Sequence, residues 1–465
     1  MPSRINIGPE NGPYVGINES SGNLQLEDNG GNVVAEWDET NAQWDFANNT
    51  LNNVDALNSN SVNTEVSDTD QLRNRDVLNT RRDPLQYYHA KGQPLDGHGI
   101  GMFEDISQWD EGNADTSLSA DSDIYFRGSQ SAKIEMSGAN EGDIEVDYGE
   151  ETRDFSDLDF SIAIRYDSDS SNPDDVEIQF FDEASELVRF RHTSVARWPD
   201  DEWHRVDLGA RLDSAPVDFS NIERVRIRLP GLEDGDVVRL DYLGQVPKPH
   251  DTGFVIFHVD NGSETDIDVH APIFNEFGVS AHFAPIPDST GEGSRLTHDE
   301  LKQLQEWGHE IGHKNYSNEE MDTLSREEVR DEIVQAQEWA GENGYLNGRA
   351  VLTPRGNQVT PDVIEIAEET HEVVTTGYGN PRNSLRGQIT ANGMLLSRGQ
   401  VDDEDLSGVE DALDMAERYN QVFHAYFHGD SLTGDGLRDY LEAVEERDVT
   451  PISLTQWVEM QNAVF

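Results

Sequence analysis

The sequence predicts a multidomain protein: a β-rich N-terminal segment over residues 1–92, a β-sandwich over 93–247 and an α/β domain over 248–465. Three observations carry this reading. The chain has 465 residues, whereas single hydrophobic cores seldom grow past about 250–300. Residues 95–247 alternate polar and apolar positions with a period near two, while the stretch after 253 alternates apolar strands with amphipathic helices. Between them lies a Pro-bearing run, QVPKPHDTG, which reads as a linker.

Residues 1–90 are rich in Asn and Asp, with short alternating pieces such as NLQLED, VVAEWD and AQWDFANNTLNNV set between Gly or Asn turns. Short strands with few large apolar residues usually need oligomerisation to bury enough surface. A disordered tail is the alternative. Trp37, Trp44 and Phe46 argue against it, because disordered segments are poor in aromatics. In the second zone SAKIEMS, DIEVDYG, LDFSIAIRY, DVEIQFFD, LVRFRHT, RVRIRL and VVRLDYLG are each bounded by Gly, Asp, Pro or Ser clusters, the pattern of a β-sandwich.

In the last zone FVIFHVD reads as a buried strand running into a Gly turn. Thr297 and Glu300 form a capping box that opens a helix with Leu301, Leu304 and Trp307 on its apolar side. Ser325 and Glu328 form a second box, followed by Val329, Ile333 and Ala336 at helical spacing. RAVLTP, EVVTTGYG and QVFHAYFHGD read as strands, and PDVIEIAEET as a helix. Repeated βα units imply a largely parallel sheet or a barrel, with functional residues at the C-terminal ends of the strands.

Composition narrows the function. Asp and Glu number 93 against 33 Lys and Arg, a formal net charge of -60 that repels nucleic acid phosphates and anionic membrane surfaces. Only five residues are lysines: Lys91, Lys133, Lys248, Lys302 and Lys314. At molar salt the Debye length falls to about 3 Å and self-repulsion is screened, so the chain reads as built for a very salty medium; an acidic mesophile protein is the alternative. Cys is absent, which excludes disulfides, thiolate zinc sites and a cysteine nucleophile. The first twenty residues hold no apolar h-region, and no run of about 18 apolar residues occurs. The expectation is a soluble chain with no signal peptide and no membrane insertion.

His309-Glu310-Ile311-Gly312-His313 matches the His-Glu-x-x-His zinc protease pattern. That chemistry needs both histidines one turn apart on a helix. Here Gly308 and Gly312 interrupt the segment, the capped helix ends near Trp307 and Ile311 suits a strand, which argues against it.

HVDNG after a buried strand, LTHDELKQLQEWGHEIG followed by KNYSN, VLTPRGNQVTPDVIEIA and FHAYFHGD, in that order, resemble the NodB-type polysaccharide deacetylases over the whole C-terminal zone. The resemblance implies a distorted (β/α) barrel. It also implies a divalent metal that polarises an acetamide and its bound water, with an aspartate as base and a late-strand histidine as acid. By position the base matches Asp260 and the acid His428, while the metal-binding aspartate falls on Asn261 and the two ligand histidines on Lys314 and Asn318. The arginine-bearing loop survives as Thr353-Pro354-Arg355-Gly356. All three ligands have changed, so the resemblance points to a deacetylase fold without its catalytic metal. Lys314 then pairs with Asp260, in a pocket where Asp260, Asn261, Lys314, Asn318, Arg355 and His428 hold a sugar. A rearranged metal site using His309, His313 or His424 with Asp260 is the competing reading.

FEDISQWD, YFRGSQSAKIEM, DEWHRVDLG and VRLDYLG resemble carbohydrate-binding jelly rolls. That resemblance implies a structural calcium involving Glu104 and Asp241, since hard oxygen ligands suit the ion. Trp109, Trp198 and Tyr148 are the candidate sugar platforms, with core packing the usual alternative for a jelly-roll tryptophan such as Trp203. The first ninety residues loosely resemble the particle-proximal end of viral tail fibres and spikes. Together the parts suggest a virion tail fibre or spike, a homotrimer made in the host cytoplasm. Its expected partners are other tail or baseplate proteins and a glycan or glycoprotein of a haloarchaeal host surface. The alternative is an active metal-dependent polysaccharide deacetylase of a haloarchaeon.

Overall fold

The structure is a computed structural model of the chain. It describes 5–7, 15–20, 23–27, 33–38, 43–45, 93–94 and, from 100 onward, all residues except 139–140, 168–174, 185, 194–200, 212–216, 378–380, 391–393, 404 and 464–465. The chain divides into two compact units, Met1–Leu78 and Asn79–Phe465. In the first, strands Ile5–Ile7, Val15–Ser20, Asn23–Glu27, Val33–Asp38 and Gln43–Asp45 pair antiparallel in chain order, with Trp37 opposite Trp44 in register.

The second unit begins with antiparallel strands in the spatial order Asp110–Glu111, Glu141–Asp147, Ile222–Pro230, Asp175–Asp182, Leu187–Thr193, His204–Arg211, Leu158–Tyr166, Val237–Pro247, Ser131–Met136 and Thr116–Asp121. The sheet doubles back through His204–Arg211, so that its two halves face each other: Phe160 on one lies 4.6 Å from Phe180 on the other, ring centre to ring centre. Alternation produces this directly. Phe160, Ile162 and Ile164, every second residue of one strand, join Ile178 and Phe180 of the facing layer in one buried core.

The expected linker is not a free connection. Val237–Pro247 is a strand, and the next strand starts at Gly253. Lys248 lies 3.7 Å from the buried Asp159 carboxylate, which also accepts hydrogen bonds from Gln421 Nε2 (2.8 Å) and the Gln388 backbone N–H (3.1 Å). Tyr419 packs edge-on against Phe190 and Phe219, and a Cβ at Gly209 would collide with the Leu385 carbonyl. A buried carboxylate must be matched by donors, so this junction is a packed interface.

Parallel pairing governs the rest. Gly253–Asn261 pairs with His282–Pro285 and with Val422–His428, and His282–Pro285 pairs with Glu310–Ile311. The chain continues across Gly312 into His313–Lys314, which pairs with Val351–Thr353, then Val373–Thr376, then Leu395–Ser397. Across Arg398 it enters Gly399–Gln400, which pairs with Val422–His428. The pairings thus return to the strand they left. Helices Ala271–Phe277, His298–Glu306, Arg326–Glu342, Pro361–Ala367, Leu406–Tyr419, Gly434–Glu445 and Leu454–Ala463 follow or separate these strands. Both expected capping boxes are formed, at Thr297 with Glu300 and at Ser325 with Glu328.

Strand parity then fixes what the ring encloses. Val255, Phe257 and Val259 pack outward with the helices. Phe254 and Ile256 point the other way, into a cluster with Val351, Val373, Leu396 and Trp457 that closes the floor. His258 and Asp260 continue the inward series, two and four residues beyond Ile256.

Candidate functional site

Asp260 is the last inward residue of the strand Gly253–Asn261 and is 1% exposed. Arg398 grips it with both terminal nitrogens, Nη1 to Oδ1 at 2.6 Å and Nη2 to Oδ2 at 3.0 Å. The Arg398 Nε donates to Asn357 Oδ1 at 2.9 Å, and the guanidinium lies over the Tyr426 ring at 4.1 Å. Lys314 Nζ stands 3.5 Å from Asp260 Oδ2, His258 Nε2 3.3 Å from Oδ1 and His428 Nε2 3.9 Å from Oδ2. Burial by itself would push the Asp260 carboxyl up. The charges of Arg398 and Lys314 and the Arg398 hydrogen bonds outweigh it and hold the carboxyl far below the usual range. Burial lowers the Lys314 ammonium, with Asp260 pulling the other way. His428 is lowered by burial too, against the opposing pull of Asp260.

Beneath this cluster lies a layer of histidines. Register places Glu310, His282 and His258 in one row across three neighbouring strands. His282 Nδ1 lies 3.4 Å from Glu310 Oε2, the His258 and His282 rings are 4.6 Å apart, and His258 Nδ1 meets His424 Nε2 at 3.1 Å. His258 Nε2 also lies 3.3 Å from Thr353 Oγ1. Gly312 leaves room for the layer, since a Cβ there would strike His282 Nε2. Burial holds His258 and His424 well below the ordinary histidine range, so both are neutral.

A divalent metal does not fit here. Asn261 and Asn318 both take left-handed backbone conformations, φ 76° and 60°, which asparagine tolerates better than most residues. Their carbonyls accept hydrogen bonds from Arg295 and Arg355, at 2.9 Å and 3.1 Å. Lys314 brings a positive charge where a ligand is needed, and Arg398 takes both oxygens of the one carboxylate. Among the described residues no group of three or more His, Asp or Glu side chains is placed to hold a metal ion.

The rearranged site fails for the same chain geometry. His309 lies against Phe283 with its Nδ1 accepting from the Ala281 N–H, His313 pairs with His371 at 3.2 Å, and His424 turns to His258. Glu310–Ile311 and His313–Lys314 are strands, so the His-Glu-x-x-His match has no helix to sit on.

This arrangement invites comparison with known proteins. Residues 248–372 match the family model described as polysaccharide deacetylase. The C-terminal part of the chain is deacetylase-like. Among solved structures, a Streptococcus pyogenes deacetylase in complex with acetate is 14% identical, with 31% of this chain and 63% of that chain covered and a TM-score of 0.28. The CE4 domain of a multidomain xylanase from the hindgut metagenome of Trinervitermes trinervoides is 15% identical, with 45% and 92% covered and a TM-score of 0.34. A CE4 family pseudoenzyme from Bacillus anthracis is 15% identical, with 44% and 66% covered and a TM-score of 0.32. The chain therefore spans less than two thirds of the first and third of these. Among curated proteins, none matches the sequence.

In the deacetylase-like part, the structure brings Asp260, Lys314 and His428 together, with Asn318 and Arg355 at the rim. Arg398 is the residue that sequence reasoning missed. Its only sequence signal is parity: it follows the inward Leu396 by two in the short run LLSRGQ.

Among the described residues, the sandwich contributes none of the partners of Asp260. Trp109 is 4% exposed and stacks on Phe103 at 5.2 Å, which corrects its reading as a sugar platform: the ring is core. Tyr148 is half-buried beside Phe155, with Arg153 over its ring at 5.0 Å. Trp198 lies outside the described residues. Glu104 accepts from the Ser129 backbone N–H (2.7 Å) and hydroxyl, and Asp241 from the N–H groups of Phe126, Arg127 and Tyr242. Burial pushes the Asp241 carboxyl up to about 6, with the N–H donors opposing and Glu104 adding to the rise. The two carboxylates expected for calcium are thus electrostatic neighbours, and among the described residues no third acidic side chain joins them in a metal cluster.

Proposed function

We propose that this chain is a glycan-binding protein whose deacetylase-like domain holds sugar without hydrolysing it. The observation that carries the reading is the clamped aspartate. A general base should titrate near the working pH and leave an oxygen free for the proton; Asp260 is kept ionised by two cations and both its oxygens are engaged by Arg398. On this reading the parallel ring is a distorted (β/α) barrel of the polysaccharide deacetylase type, and the antiparallel layers are a jelly-roll, carbohydrate-binding-like domain. Zinc titrated into the full chain in molar KCl should show no stoichiometric site of micromolar affinity, and acetylated xylan and chitin oligomers should release no acetate. A micromolar zinc site accompanied by acetate release would overturn the proposal.

We infer further that the protein is a tail fibre or spike of a virus of a salt-adapted host, acting as a trimer. The short-strand segment 1–92 suits an attachment and oligomerisation role, and several copies would multiply a weak single-site affinity. Sedimentation of the full chain in molar KCl should give the mass of a trimer, and antibodies to it should label the ends of the particle's fibres. A monomer that labels host envelopes and leaves particles bare would sink this part.

A further inference from the structure

The charges around Asp260 do not balance. Lys314 is 4% exposed and Arg398 2% exposed, and the two share one buried carboxylate. Arg398 is well satisfied: its bonds run to Asp260 and Asn357, with Tyr426 beneath. Lys314 is not. Its ammonium has three protons to donate, and its one partner among the described residues is Asp260 Oδ2, at 3.5 Å. A buried cation left with a single long contact is costly unless another acceptor completes it. The chain has 93 acidic residues, yet among the described residues no second carboxylate is paired with it.

What surrounds Lys314 points to an acceptor from outside. His428 reaches toward the same carboxylate and is 30% exposed, so the cluster opens on that side. Arg355 stands at the rim, 46% exposed, donating to the Asn318 carbonyl at 3.1 Å and lying 3.3 Å from Glu320. Asn318, whose backbone carbonyl Arg355 holds, stands at the same rim, and its Oδ1 is buried without a partner among the described residues. An anionic oxygen would find Lys314 and His428 as donors and would balance the surplus charge, whereas a neutral sugar would leave it unpaired.

We propose that this cluster is a subsite for the oxyanion of an acidic sugar, a carboxylate or a sulfate ester. The inference rests on the glycan-binding reading and adds the class of glycan. Isothermal titration of the full chain in molar KCl tests it with four probes: a tetrasaccharide of alternating glucuronate and N-acetylglucosamine, a sulfated tetrasaccharide, neutral chitotetraose, and free acetate with free sulfate. At least one acidic tetrasaccharide should bind about tenfold or more tighter than chitotetraose, and the better of the two identifies the oxyanion. Lys314→Met should bring that preference below about twofold, and Arg355→Gln, a rim change that leaves the buried cluster intact, should reduce it partly.

Chitotetraose binding as tightly as both acidic probes would overturn the inference and leave the glycan reading standing. Binding of no oligosaccharide at all would overturn the glycan reading, and the inference with it. Free acetate or sulfate binding as tightly as the oligosaccharides would show an anion site unconnected with sugar. A preference that survives Lys314→Met, in a variant whose circular dichroism matches the parent, would place the recognition elsewhere.

Discussion

Replacing Arg398 with methionine is expected to cost the C-terminal domain about 3–5 kcal/mol, the usual consequence of removing one member of a buried ion pair. The loss comes mainly from what remains. Asp260 would keep a buried charge with only the longer contacts to Lys314, His258 and His428, since Arg398 makes both close charge-assisted hydrogen bonds to it. Asn357 Oδ1 and the face of Tyr426 would lose their partner as well. Denaturant unfolding in molar KCl, with salt held constant, measures the change. Arg398→Lys should fall between the two, because it keeps the charge but not the paired geometry. Asp260→Asn combined with Arg398→Met should cost less than the sum of the single changes. A loss under about 1 kcal/mol would mean that Asp260 does not depend on this clamp.

Stability should also collapse on mild acidification, by an amount on the order of 5–10 kcal/mol between pH 7 and pH 5. Burial lowers His309 and His313 to about 4 and His192 to about 3, and holds His258 and His424 well below the ordinary value. A histidine kept neutral by burial takes up its proton first in the unfolded chain. The stability it contributes is complete above about pH 6.5 and drains away below it, at about 1.4 kcal/mol per pH unit for each residue until the folded value is reached. Buried carboxyls work in the opposite direction. Asp159 and Asp241 are pushed up by burial, Asp241 to about 6, so they gain stability as pH falls and offset part of the loss. Asp260 adds nothing in this window, because its carboxyl stays ionised far below it. Urea unfolding at pH 7 and pH 5 in the same molar KCl gives the answer, and stability that is level or rising toward pH 5 would contradict the neutral burial of these five histidines.

Much of this was legible in the chain. Period-two alternation marked the strands of the sandwich, and both capping boxes placed their helices, because these signals depend on neighbours within a turn or a strand. The contact of Lys314 with Asp260 was legible too, from the opposite charges that the deacetylase resemblance set at neighbouring positions. Trp109 shows where such reading stops. An aromatic in a turn-rich stretch has the same local sequence whether it faces water or Phe103, and only packing against the sandwich decides.

The sequence by itself determined much of the secondary structure, the acidic charge and the residue types carried at Asp260, Asn261, Lys314 and Asn318, since each is a property of residue types and their local spacing. The tertiary structure alone decided what surrounds Asp260. Asp260 and Arg398 are separated by 138 residues, and they meet because the parallel pairings close into a ring that sets the inward positions of distant strands side by side. Alternation told which residues of a strand share a face; it could not tell which strands would stand next to one another. For that reason Lys314 was foreseen beside Asp260, while the arginine that holds the carboxylate and the histidine row beneath it emerged only from the fold.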